Sequence, residues 1–272
     1  TCSVAFEFVA PDMPVLRVNG KIDASLGLSD RINMYLTGLI PLLYVENPSR
    51  VGVIGLGGGL TLTSVAGSPR VNRVDCAELE PAVIEVQKYW APYVESVHQN
   101  PKVKLLEADG RTFILGAGEN FDIIISEPSN PWIAGIGNLY TREFYQNSKK
   151  KLSDDGVFLQ WCNLYAISPD DLNMVLRSFF QCYEHGDIWL GGGDLMLIGS
   201  KKPLQCKTER LREYWEQHPT LKYELAELGF LEPEEILGQF ISSWDFAKSR
   251  VGPGPVNSDD RPLLEYSAPR SL

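Results

Sequence analysis

A strand-like apolar run that ends in a glycine cluster, followed by a regular alternation of strand and helix, constrains this chain more than any other feature. Residues 51–56 (VGVIGL) are nearly all apolar, and Gly55, Gly57, Gly58 and Gly59 crowd the end of the run. Similar β-branched runs recur at 73–79, 103–108, 121–126 and 157–161, with helical stretches near 59–66, 81–91, 110–116, 140–151 and 169–180. Continuous apolar runs fit strands covered on both faces. Their alternation with helices predicts a parallel sheet with right-handed crossovers. Residues 187–190 and 195–198 flank a GGGD turn at 191–194, so a hairpin should bring in an antiparallel strand.

Five parallel strands closed by such a hairpin predict an α/β, Rossmann-like fold of the S-adenosylmethionine-dependent transferase type. The sheet is mostly parallel and ends in the antiparallel hairpin. Upstream, short strands at 4–9 and 14–18, a turn at Pro11-Asp12 and a tight-turn signal at Asn19-Gly20 predict a small N-terminal β-domain. An apolar helix follows over roughly 30–44, ending before Asn47-Pro48. Residues 207–248 read as two or three surface helices, and 257–266 as a polar turn leading into a short strand. The expected division is a β-hairpin domain over 1–30, a cofactor-binding catalytic domain over 31–202, and a helical appendage with its tail over 203–272.

Charge and cysteine usage exclude several function classes. With 25 Lys and Arg against 35 Asp and Glu, the net charge is −10, and no basic stretch could meet a polyanion, so nucleic acid is not the expected partner. An acidic surface suits cationic substrates such as amines. Five cysteines and three histidines are scattered without metal-ligand spacing, so no metal is expected and the thiols should be reduced, as in the cytoplasm. No apolar run is long enough to span a bilayer. The chain begins at Thr1 rather than at methionine, which points to a segment of something longer.

Chemistry concentrates at the carboxyl ends of the predicted strands. Gly55, Gly57 and Gly59 allow a sharp turn and close approach to a nucleotide, ahead of a helix N-terminus. Glu78 ends the second strand, where a carboxylate can accept hydrogen bonds from both ribose hydroxyls. Glu80 is the alternative, although a residue before Pro81 has a helix-start role of its own. Asp109, followed by Gly110, ends the third strand and could hold an adenine amino group, or simply cap the next helix. Together these favour an adenosyl-sulfonium cofactor over a dinucleotide. The fourth strand ends in 126–132 (SEPSNPW), whose only ionisable side chain is Glu127. That carboxylate could orient an amine and accept its proton, stabilise the sulfonium, or cap the loop. Tyr140, Gln160 and Trp132 could also line the pocket, and for Trp132 and Trp161 packing is an equal explanation.

At 16–20 (LRVNG), 53–59 (VIGLGGG), 77–85 (AELEPAVIE), 108–113 (ADGRTF) and 138–145 (NLYTREFY) the chain resembles the spermidine synthase, or polyamine aminopropyltransferase, family. The segments 126–135 (SEPSNPWIAG) and 257–269 (NSDDRPLLEYSAP) resemble a bacterial branch often fused to membrane-spanning segments. The resemblance implies decarboxylated S-adenosylmethionine as aminopropyl donor, an amine acceptor, a homodimer, and attachment to a membrane-spanning segment outside this chain. On that basis the expected location is cytoplasmic, as the cytoplasmic domain of an inner-membrane protein.

Several positions depart from the family pattern. The family loop reads Asp-Ser-Ser/Thr-Asp-Pro, with the first Asp helping to deprotonate the amine and the second to hold it; here those positions are Glu127 and Asn130. Gly58 replaces an acid of the glycine loop, and Asp23 and Asn33 replace a glutamine and a tyrosine. The expected catalytic residue is therefore Glu127, with Asn130, Tyr140, Gln160 and Asp23 as substrate-binding residues. Two alternatives follow from the departures. One is methyl or alkyl transfer from intact S-adenosylmethionine, with Arg111 or Arg142 meeting its carboxylate. The other is a non-catalytic nucleoside-binding module of a membrane protein.

Overall fold

The computed structural model describes residues 2–95 and 97–271. At the N-terminus, β1 (Val4–Ala10) and β2 (Met13–Val18) pair antiparallel, and β2 pairs in turn with β3 (Lys21–Ser25). Asn19 and Gly20 both lie at positive φ between the paired residues Val18 and Lys21, the two-residue geometry expected of Asn-Gly. The turn signal thus leads into a third strand, and β3 carries Asp23 toward the central sheet.

Helix α1 (Leu28–Leu39) precedes the first parallel strand, β4 (Arg50–Ile54), and α2 (Leu60–Ala66) follows it. The rhythm continues through β5 (Arg73–Glu78), α3 (Pro81–Trp90), β6 (Val103–Glu107), α4 (Gly110–Gly116) and β7 (Phe121–Ser126). Then come α5 (Arg142–Lys150), β8 (Leu152–Cys162), α6 (Pro169–Phe180), and the hairpin β9 (His185–Gly191) and β10 (Asp194–Ser200). The strand order is β6-β5-β4-β7-β8-β10-β9, with the first five strands parallel and β10 antiparallel to both neighbours.

Three segments differ from the sequence reading. Strand β8 starts at Leu152 rather than 157, because its polar opening residues Asp154 and Asp155 are exposed and carry no apolar signal. In the appendage, α7 (Thr208–Gln217) and α8 (Pro219–Glu227) are helices as expected. A short edge strand, β11 (Phe240–Ser243), then pairs with β9 before α9 (Trp244–Val251). The tail at 257–266 is a turn and a helix, α10 (Leu263–Ser267), not a strand. Buried Asn257 accounts for this by accepting from Leu264 N–H and donating to the Gly137 carbonyl.

Helices cover both faces of the sheet. One apolar cluster joins one face of the sheet, with Val51, Val53, Ile123, Ile125, Val157 and Leu159, to α1, α2, α3, α7 and α8; the other joins the opposite face, with Ile54, Phe121, Ile124 and Phe158, to α4, α5, α6, α9 and α10. From β4 the chain runs outward through β5 and β6, then returns to β7 on the other side, so the carboxyl ends of β4 and β7 flank a crevice. No helix among the described residues is long and apolar enough to cross a membrane.

Candidate active site

The glycine loop leaves β4 with Gly55, Gly57 and Gly59 all in the left-handed region. At Gly55 the requirement is twofold: φ is +93°, and a Cβ there would lie 2.1 Å from the Glu127 carbonyl oxygen. The β4 and β7 loops therefore touch through bare backbone. Gln87 steadies the loop by donating to the Gly57 carbonyl at 2.7 Å. Glu78 anchors it from β5, accepting Leu56 N–H at 3.1 Å on one carboxylate oxygen and Glu80 N–H at 2.9 Å on the other. Burial raises the Glu78 pKa and these backbone donors oppose the rise. Leu79 N–H also faces the carboxylate, and its two oxygens offer about four acceptor sites in all, so acceptor capacity remains for a further donor.

Glu80 occupies the N-cap of α3 and accepts from Ala82 N–H, which accounts for it structurally. Asp109 caps α4 through Oδ1, which accepts from the Thr112 backbone and hydroxyl at 3.1 and 3.2 Å and leaves Oδ2 outside the cap. A Cβ at Gly110 would meet Ile54 at 2.6 Å, so α4 starts hard against the end of β4.

On the other side of the crevice, carboxylates converge from four parts of the chain. Glu127 follows β7, and its Oε2 accepts from Thr61 Oγ1 on α2 at 2.6 Å. Its carboxyl is pushed up to about 8, first by burial and further by Asp30 and Asp194, against the lowering effect of Thr61. Asp23 on β3 accepts from Ser129 Oγ at 2.8 Å, which ties the N-terminal sheet to the β7 loop, and it pairs with Lys21. Asp30 on α1 accepts from Ser25. Asp194 on β10 accepts from Leu164 N–H at 3.0 Å, and burial raises its pKa.

Asn130 is fully buried and donates to Tyr165 Oη at 2.9 Å, while Tyr165 packs edge-on against Trp132. Gln160 and Tyr140 are also fully buried, and both donate to the Trp161 carbonyl. Ser126 Oγ, Asn130 Oδ1, Gln160 Oε1 and Asn163 Oδ1 are buried without a hydrogen-bond partner among the described residues. Native proteins pair nearly all such atoms. Trp161 Nε1, a donor, is unpaired among the described residues as well, but acceptors outnumber it in this set, so hydrogen-bond donors would satisfy most of it.

The crevice thus brings Asp23, Glu127 and Asn130 to one loop, with Gln160 and Tyr140 inside the wall behind it. Sequence reasoning missed Asp30, Thr61, Asp194 and Tyr165. Asp194 read as part of a glycine turn, and Thr61 as an unremarked residue at a helix start. Among the described residues, no group of three or more His, Cys, Asp or Glu is arranged to hold a metal ion.

Comparison with known proteins bears on this arrangement. A family model described as the spermine/spermidine synthase domain matches residues 34–183. The polyamine aminopropyltransferase of Bacillus cereus (strain ATCC 10987 / NRS 248) is 27% identical over 183 residues, 64% of this chain and 66% of the relative. That of Methanocaldococcus jannaschii is 36% identical over 121 residues, 44% of this chain and 41% of the relative. The chain thus matches slightly less than two thirds of the Bacillus protein and well under half of the Methanocaldococcus one. In fold it is similar to spermidine synthase from Thermotoga maritima, with a TM-score of 0.67 at 21% identity over 88% of this chain and 80% of that one. It is also similar to a spermidine synthase in complex with the transition state analogue AdoDATO, with a TM-score of 0.63 at 22% identity over 80% and 82%.

Proposed function

The chain belongs to the spermine/spermidine synthase family, and from that premise we propose that it transfers an aminopropyl group from decarboxylated S-adenosylmethionine to an amine. The observation that carries this reading is the convergence of Asp23, Asp30, Glu127 and Asp194 beside buried, unpaired acceptors, with Lys21 already paired to Asp23. Such a wall favours a ligand that is cationic and rich in N–H donors. On the cofactor side, the left-handed glycines, the remaining acceptor capacity of Glu78 and the uncapped oxygen of Asp109 fit an adenosyl group. Bound there, the donor supplies a carbon activated by a sulfonium leaving group.

The protein's own contribution is positioning and proton management. Asp23 and Asn130 would hold the amine, and the Glu127 carboxylate would accept a proton from its nitrogen. The nitrogen lone pair then forms the new C–N bond while the C–S pair leaves with sulfur, giving methylthioadenosine. A carboxyl that titrates near 8 suits a base working close to neutral pH.

Intact S-adenosylmethionine is the second reading, favoured by Gly58. A side chain there would face Leu60, Trp90 and Ala24 at 3.2–3.7 Å, so no acid marks the donor's amino end. Against it, Arg111 and Arg142 are already paired, with Asp259 and Glu143 respectively, and neither waits for a carboxylate. The test is incubation with each donor separately and a panel of amines, followed by mass spectrometry of the nucleoside product. Methylthioadenosine formed only from the decarboxylated donor and only with amine supports the proposal. S-adenosylhomocysteine from the intact donor would replace it with methyl transfer.

A further inference from the structure

Thr61 belongs to none of the motifs that mark the site, yet among the described residues its hydroxyl is the one hydrogen-bond partner of the Glu127 carboxylate. It lies in the first turn of α2, just after left-handed Gly59, and is 3% exposed. Its Oγ1 is 2.6 Å from Glu127 Oε2 and 3.1 Å from the backbone oxygen of Met34 on α1. The second contact depends on a close helix pair: a Cβ on Gly38 would lie 2.6 Å from the Thr61 carbonyl.

We propose that Thr61 is a positioning residue for the base: its hydroxyl holds Oε2 of ionised Glu127 and so presents Oε1 to the amine. A hydroxyl has one proton to donate, and two acceptors compete for it here. With Glu127 ionised, the charged and nearer oxygen takes it. Once the carboxyl is neutral, the hydroxyl can turn to the Met34 carbonyl, so neither state leaves a buried donor unpaired. The Met34 carbonyl is an acceptor only and cannot carry the proton away. The amine proton therefore arrives and departs on the Oε1 side. Asp30 from α1, Asp194 from β10 and Cys76 from β5 also face Glu127, and all three are untouched by a change at position 61.

The proposal rests on Glu127 being the base, and the test separates the two ideas. Thr61→Val keeps the shape and removes the hydroxyl, whereas Thr61→Ser keeps the hydroxyl. A hydrogen bond to a charged group contributes about 1.5–3 kcal/mol. At ~1.36 kcal/mol per pH unit, losing it moves the acid limb of the pH–rate profile up by about one unit or more. Turnover of the valine variant should then fall about tenfold at pH 7 and recover toward wild type by about pH 10. Serine should restore the original limb. A 13C NMR titration of the Glu127 carboxyl in the resting protein should move by the same amount. A uniform loss of turnover at every pH, with that titration unmoved, would overturn the positioning role. A titration that moves while turnover does not follow, or turnover retained in Glu127→Gln, would instead remove Glu127 as the base.

Discussion

Replacing Glu127 by glutamine should stabilise the fold at alkaline pH while abolishing turnover. The amide keeps the shape of the carboxyl, and its NH2 can donate to Thr61, whose hydroxyl then turns to the Met34 carbonyl; the variant resembles permanently protonated Glu127. In the wild type, burial lifts this carboxyl from its ordinary 4.5 to about 8. The folded state therefore binds the proton more tightly than the unfolded chain does. The stability this provides is complete below the unfolded value, declines as pH rises through the folded value, and is flat above it. At 1.36 kcal/mol per tenfold change in proton affinity, the ionised form costs at most about 4–5 kcal/mol. Glu127 keeps some solvent contact, which reduces the figure to about 2–3 kcal/mol. Urea unfolding of both proteins at pH 5, 7 and 9 measures the difference directly. The variant should lead by less than about 1 kcal/mol at pH 5 and by about 2–3 kcal/mol at pH 9, the latter roughly 5–10 °C in Tm. Glu78 and Asp194 also titrate high, but they are common to both proteins and cancel to first order. A difference independent of pH, or a variant less stable at pH 9, would refute the reasoning.

Three further changes probe other parts of the site. Gly55→Ala forces a Cβ against the Glu127 carbonyl at φ +93°, so it should cost about 3 kcal/mol or more in urea unfolding and reduce turnover by displacing the base. Glu78→Ala strips the acceptor from Leu56 N–H and Glu80 N–H; donor affinity by calorimetry should fall about tenfold or more, with about 1–3 kcal/mol lost from the fold. Asp23→Asn removes one charge beside Ser129, and steady-state kinetics should show KM for the amine rising about tenfold with kcat little changed. A fall in kcat alone would move Asp23 out of amine binding.

Much of the fold was legible because its signals are local. The Asn19-Gly20 turn, the glycine cluster after β4, and the apolar runs of β4 to β7 each follow from the conformational needs of a few neighbouring residues. Where pairing supplies the reason, the local signal fails. Strand β11 is four residues long, with Phe240 and Ile241 half-exposed, and only its register against β9 makes it a strand. The tail helix likewise depends on Asn257, seven residues before the N–H it accepts.

The site divides in the same way. Sequence alone determined a glycine loop at the end of the first strand of a parallel sheet, with carboxylates at successive strand ends and Glu127 as the ionisable group of the β7 loop. Only the tertiary structure decided what surrounds that group. Strand order sets β4 beside β7, the close packing of α1 on α2 brings Thr61 and Asp30 alongside, and the β9–β10 hairpin returns Asp194 from far along the chain. Burial and neighbouring charge act through space, so the proton affinity of Glu127 is a property of the assembled crevice and of no single segment of the chain.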